Sequence, residues 1–299
     1  MNTSTSKEHP MAGQLAVLAT AVLLSTAGLT IKLVPWHPFA ITGMRSIVAT
    51  IFLLVLRFVS PPPKNVKSRP LPLAAAAFTF AFMMMSFVAA NKITTAANAV
   101  LLMYGAPIWA ALLGWWLIKE KPNWEHWGAL VLIFGGMFLF LKDGLGGGAL
   151  AGDSLAILAG VFYGAHSVFM RMLKDGNLRD AMLLAHVICL IIGLPFIILH
   201  PPVFTVKATL AVTYMGLFQI GLASLCLAYG LKRVRAVQAM LISTAEPVLN
   251  PVWVLIATGE KPTPVALAGG AIIIFAVVVS SLIGKRRDDD AKVKTTDPA

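Results

Sequence analysis

The sequence predicts an all-α membrane protein with ten transmembrane helices arranged as two inverted five-helix repeats. Three observations carry that prediction: an apolar composition, ten runs of spanning length, and one block of residues that occurs twice. The chain is 58% hydrophobic and 12% charged over 299 residues, with a mean hydropathy of +0.81. So few polar groups cannot cover a water-soluble fold of this size, so lipid must cover much of the surface. A transmembrane barrel would need alternating strands of about ten residues, and the sequence has no such pattern.

A helix crosses the hydrocarbon layer in about 20 residues. Runs of that order fall at 11–33, 39–59, 71–91, 94–118, 125–142, 153–172, 180–199, 207–231, 236–257 and 264–284. The joints between them carry turn chemistry, as in Trp36-His37-Pro38, Pro61-Pro62-Pro63-Lys64 and His200-Pro201-Pro202. The first run is too long for the apolar core of a secretory signal, has only Lys7 before it, and is expected to be retained. The expected divisions are a tail at 1–10, a first repeat at 11–142, a Gly-rich linker at 143–152, a second repeat at 153–284 and a charged tail at 285–299. Cys189 and Cys226 lie in apolar runs and suggest neither a disulfide nor a metal framework.

The block Lys92–Pro122 returns without a gap at Lys232–Pro262. Lys92 matches Lys232, Ala96 matches Ala236, Ala99 matches Ala239, Leu101 matches Leu241 and Pro107 matches Pro247. Both copies close on Glu-Lys-Pro, at 120–122 and 260–262. Of the 24 Lys and Arg residues, 18 fall on one side of the membrane, 5 fall on the other, and Arg45 lies inside a run. This asymmetry puts both termini and the charged tail in the cytoplasm and the linker outside. The net charge of +11 is therefore an orientation signal and not a nucleic-acid surface. Five spans per half is an odd number, so the second copy enters the membrane upside down. Inverted repeats are the usual frame of secondary transporters, in which each half can take the other's conformation.

The residues Lys32, Pro38 and Arg45, the stretch from Asn91 to Ala99, Ala106-Pro107-Ile108-Trp109, Glu120-Lys121-Pro122, Gly128, Gly135-Gly136 and Ala245-Glu246-Pro247 resemble the EamA-type drug/metabolite transporters. The resemblance runs over roughly residues 11–284. It implies a central cavity lined by the first, third, fourth, sixth, eighth and ninth helices. It also implies a small-molecule substrate, with amino-acid export common among bacterial members, and an inner-membrane location. No cofactor or metal is expected, and the partners are the substrate and the lipid bilayer, with a monomer or weak oligomer. Arg45 departs from the repeat, since its counterpart in the second half is Leu184.

Glu246 is the only acid deep in any run, and a carboxylate at that depth is a functional candidate by default. It can bind a proton or a substrate amino group, or serve as a structural acid paired with Arg45 or with backbone. His166, beside Tyr163 and Ser167, either contacts substrate or packs by a hydrogen bond, and His186 reads as structural. Arg45 and Lys32 also read as structural, Lys32 by snorkelling to water. Asn98, Tyr104, Ser243, Tyr214 and Gln219 supply polar groups on cavity helices, with Gln238 and Thr244 beside them. Met83 and Phe87 belong to a Phe/Met cluster that can line an adaptable pocket. Pro107 and Pro247 lack the N–H that would bond a carbonyl one turn earlier, so they are candidate gates or plain kinks. Gly160 and Gly164 form a small-residue face suited to helix packing. Trp115, Trp116, Trp124 and Trp127 read as an interfacial belt.

The absence of G-x-x-x-x-G-K-[ST] argues against direct use of ATP. A membrane-embedded enzyme would want clustered acids or histidines, and a channel would want a ring of charge. Neither is present in the sequence, and export of a small amino acid or a cationic compound is the expectation.

Overall fold

The computed structural model describes residues 10–61, 69–119, 127–128, 131–136, 138–139, 150–173, 178–231, 233, 242–243, 245–265, 267–276, 278–279 and 282. Residues 143–149 of the linker, the charged tail, Trp124, Gln238, Thr244 and the first Glu-Lys-Pro closure lie outside the described residues, whereas 150–152 are already helical. Among those described, all regular structure is helical. Seven helices are long and apolar enough to cross a membrane, and a shorter apolar helix covers Leu267–Ala276.

The first span is two helices, α1 (Pro10–Ser25) and α2 (Ala27–Leu33). The second and third spans are α3 (Pro38–Val59) and α4 (Pro70–Ile93). Prolines stand at the first position of both, where the missing N–H costs nothing. The fourth span is again divided, into α5 (Ala96–Met103) and α6 (Ala106–Ile118). Thr95 starts α5 by accepting a hydrogen bond from the Asn98 N–H at 3.1 Å. The second half contributes α7 (Leu150–Met172), α8 (Leu178–Leu199), α9 (Val206–Tyr214), a π-helical segment (Met215–Leu222), α10 (Ala223–Leu231) and α11 (Ala245–Thr258).

Among the described residues, the last helix of the block closes alike in both copies. Lys119 and Gly259, paired at the shift of 140, both adopt the left-handed conformation, with φ of 59° and 75°. That conformation closes a helix by turning the chain out of its last turn. Glycine takes it freely at 259, whereas Lys119 is the only non-glycine residue with positive φ among those described.

Packing also respects exchange of the halves. Helix α4 lies on α7, and its counterpart α10 lies on α1. Helices α5 and α6 lie on α7, and their counterpart α11 lies on α1. Helix α3 crosses its own counterpart, α8, at Gly43 and Gly193, where a Cβ on Gly193 would sit 2.7 Å from the Gly43 Cα. Only glycine at both positions lets the backbones meet in this way. The largest apolar cluster joins α2, α4, α5 and α7 through Ile31, Phe87, Val100, Leu102 and Ala159.

Candidate functional site

Four irregularities in the helices converge on the middle of the bundle. The first span breaks at Thr26, after Ser25 and Thr26 turn their hydroxyls back to the carbonyls of Val22 and Leu23 at 2.7 and 2.6 Å. Such back-bonding competes with the helical ladder and bends it. The fourth span breaks at Tyr104 and Gly105, just ahead of Pro107, whose ring cannot continue the ladder. The eighth span widens into the π segment from Met215 to Leu222, and α11 carries Pro247 in its first turn and Pro251 in its body. Irregular backbone at membrane depth is tolerated where it is buried in protein or lines a cavity.

At this crossing the Tyr104 hydroxyl donates to Glu246 Oε2 at 2.8 Å. The two copies of the repeat block therefore meet next to their shared prolines. Glu246 is half-buried, and Tyr163 of α7 lies within electrostatic range of its carboxylate. Among the described residues no lysine, arginine or histidine pairs with Glu246. Arg45 is buried elsewhere, donating from Nη2 to Met84 Sδ at 3.1 Å. The structure thus does not make the Arg45 pair that was one reading of Glu246.

A second polar group surrounds the break in the first span. The Gln219 amide, carried on the π segment, donates to Thr26 Oγ1 at 2.9 Å and to Thr30 Oγ1 at 3.0 Å. Tyr214 reaches the same Thr26 hydroxyl at 3.2 Å. Trp253 of α11 donates to Ser25 Oγ at 2.8 Å and fastens the ninth span to the break.

One end of the bundle is shut by a polar latch. Lys32 pairs with Glu260 at 2.8 Å and donates to the Thr94 carbonyl at 2.9 Å. The other oxygen of Glu260 accepts the Ala96 N–H at 2.8 Å, at the free N-terminus of α5. Asp153, wholly buried in the first turn of α7, accepts from the Thr94 hydroxyl at 2.7 Å and from Asn98 Nδ2 at 3.0 Å. Lys92 donates to the Val34 carbonyl beside them. Lys32 is therefore a latch residue rather than a cation reaching for water. Asn98 belongs to the latch and not to the Glu246 group.

The opposite end is split between α1 and α11. A crevice of about 590 Å³ lies there, bounded by Met11, Gln14, Leu15 and Leu18 on one side and by Ile242, Ala245, Val248 and Leu249 on the other.

The remaining candidates fall in other places. The His166 ring bonds the Ala76 carbonyl at 2.9 Å and lies 4.9 Å from the Phe80 ring. His186 bonds Ser46 at 3.2 Å. Met83 and Phe87 are packed into the apolar core. Ser243 is half-buried near the crevice wall, Pro107 is exposed and Pro247 is buried. Gly160 and Gly164 lie against the break of the fourth span: a Cβ on Gly164 would meet Ala110 N at 2.6 Å and Ala106 O at 2.7 Å. Trp115 and Trp127 make an edge-to-face pair with ring centres 5.9 Å apart, both partly exposed.

The sequence did not mark Asp153, Thr26 or Trp253, and it marked Glu260 only as the closing residue of the repeat. The Ser25-Thr26-Ala27-Gly28 run was a readable sign of a helix break. Asp153 was hidden because it stands at the first residue of its expected span, where an acid is unremarkable.

Broken helices crossing at mid-depth, a two-fold repeat in sequence and packing, and a latch at one end define a multi-pass membrane transporter. The chain belongs to the EamA-like transporter family, whose description matches residues 11–142 and 150–282. It is 26% identical to the Bacillus subtilis protein described as uncharacterized transporter YwfM, over 91% of this chain and 95% of that one. An Archaeoglobus fulgidus protein, also described as an uncharacterized transporter, is 25% identical over 90% of this chain and 96% of its own length. A crystal structure sharing 20% identity superposes with a TM-score of 0.66, covering 92% of this chain and 99% of the other, which establishes the shared fold.

Proposed function

We propose that the protein is a secondary transporter that exports small metabolites, foremost amino acids, across a bacterial inner membrane by alternating access. Both termini lie in the cytoplasm in this reading, as the Lys and Arg asymmetry requires. The Lys32 latch then faces out and the α1/α11 crevice faces in. The observation that carries the proposal is Glu246, an intramembrane carboxylate held by Tyr104 where the two repeat copies meet. A substrate ammonium entering from the inner end takes the place of the tyrosine proton on the carboxylate, and the tyrosine hydroxyl is released to the substrate. The rearrangement loosens the hydrogen bond by which Tyr104 holds α11. The halves then exchange conformations: the inner seam closes and the outer latch opens.

Export of cationic compounds is the second reading. It is favoured by the lack of any cation paired with Glu246 among the described residues, which leaves a negative pole without an obvious positive one.

Counterflow in proteoliposomes tests both readings, with a panel of labelled amino acids and cationic dyes. Saturable exchange of an amino acid, lost in Glu246→Gln, supports the first. Exchange of dyes alone supports the second. No exchange of any solute overturns both.

A further inference from the structure

Asn250 is 1% exposed, and neither its Oδ1 nor its Nδ2 has a hydrogen-bond partner among the described residues. A bare buried amide costs about what its lost hydrogen bonds are worth, and an apolar side chain of similar volume would fill the place without that cost. The amide is wedged where three helices cross. A Cβ built on Gly28 of α2 would meet Asn250 Oδ1 at 2.4 Å and the Cβ of Ala96, on α5, at 2.9 Å. There is no room for a ligand while these helices touch.

The position along α11 is informative. Asn250 follows Glu246 by one helical turn, about 6 Å, on the same face of the helix. Further along the chain, Glu260 carries the latch with Lys32 and the Ala96 N–H. The unpaired amide therefore stands between the mid-depth carboxylate and the closed end, in the seam that must open for a solute to leave there.

We propose that Asn250 is the solute's contact on the exit path, covered in the closed state and paired with the solute once α2 and α11 part at Gly28. The inference rests on the transport reading above and adds a residue to it. A carboxamide both donates and accepts, so the class of solute it suits carries a donor and an acceptor together, as the ammonium and carboxylate of an amino acid do. The same group makes the closed state easier to leave, because opening gives the amide the partners that closure denies it.

The test compares wild type with Asn250→Leu, Asn250→Ala and Asn250→Ser in proteoliposomes, using the amino acid that wild type exchanges fastest from a labelled panel. Both apolar variants are expected to slow exchange on the order of tenfold, the usual weight of a lost hydrogen bond to a charged group. Half-saturation measured from the crevice end stays within twofold of wild type, and Asn250→Ser recovers part of the rate. Asn250→Leu is expected to raise the thermal midpoint, which separates a lost contact from a damaged fold. Wild-type exchange rates in both apolar variants overturn the inference, as does a fall in rate matched by a fall in thermal midpoint in all three. Failure of wild type itself to exchange any panel member overturns the transport reading instead.

Discussion

The seam between α7 and the broken α5–α6 pair is filled, whereas its counterpart between α1 and α11 is split at one end. In the first, Gly160 and Gly164 let α7 press against the break, with a Cβ at 160 only 3.1 Å from the Met103 carbonyl. Asp153 then ties α7 to Asn98 at the latch. In the second, Trp253 and Ser25 hold the halves near the break, and the crevice opens beyond them toward Met11. Two seams related by the repeat are thus packed differently in one molecule. In the proposed cycle the two halves exchange these packings, as inverted repeats allow.

The largest change that breaks this comparison is chemical. Glu246→Gln keeps the shape of the side chain but removes its charge, and exchange is expected to fall on the order of 100-fold, the range for a hydrogen bond to a charged partner in a dry site. Counterflow across pH 5 to 8 measures it, and a variant that transports like wild type throughout contradicts the role given to the carboxylate.

The next change acts on packing. Gly164→Val pushes a branched side chain into the α6 backbone, at an expected cost of about 3 kcal/mol, the upper range for overpacking a tight contact. A lowered thermal midpoint in detergent measures it. The pseudo-equivalent seam has room at its open end, so Leu18→Phe is expected to cost less than about 1 kcal/mol there. Equal losses from the two variants would erase the distinction between the seams.

Much of this frame was legible in the residues. Proline placement and apolar length marked the ends of α3, α4 and α7 to within a few positions, and the duplicated block located α5, α6 and α11. The latch was less legible, because a sequence does not say which distant carboxylate a lysine will reach. Glu260 looked like a marker of the repeat, yet it also holds Lys32 and caps α5. The π segment left no sign either, since Met215–Leu222 has the composition of any apolar helix and is widened by what packs around it.

Smaller effects sharpen the account at the latch. Lys32→Gln removes a partly exposed pair, so the stability change is expected to stay below about 1 kcal/mol. Its effect on state is expected to be larger: a cysteine at Asn250, in a Cys189→Ser/Cys226→Ser background, should become reactive to a water-soluble maleimide added from outside. Unchanged protection would show that the latch does not hold this end.

The smallest effect concerns pH. His37 caps α3 through Nδ1 at 3.3 Å from the Phe39 N–H, and its ring stacks 5.2 Å from that of His200. Partial burial, then repulsion from His200, lowers its pKa below the usual 6.5. A lowered value means that the folded state binds its proton later than the unfolded state does. The contribution to stability is therefore present above pH 6.5 and is lost as pH falls through the folded value. A ring-proton titration with a midpoint below 6.5 is expected, and a midpoint above it would contradict the assignment.

In the proposed cycle the Lys32 end opens once per turnover. Zero-length carbodiimide coupling of Lys32 to Glu260, whose charged atoms are 2.8 Å apart, tests it most directly. The coupled protein is expected to stop exchanging substrate, while Lys32→Gln treated alike retains its rate. Full exchange by protein shown by mass spectrometry to carry the Lys32–Glu260 amide would contradict it.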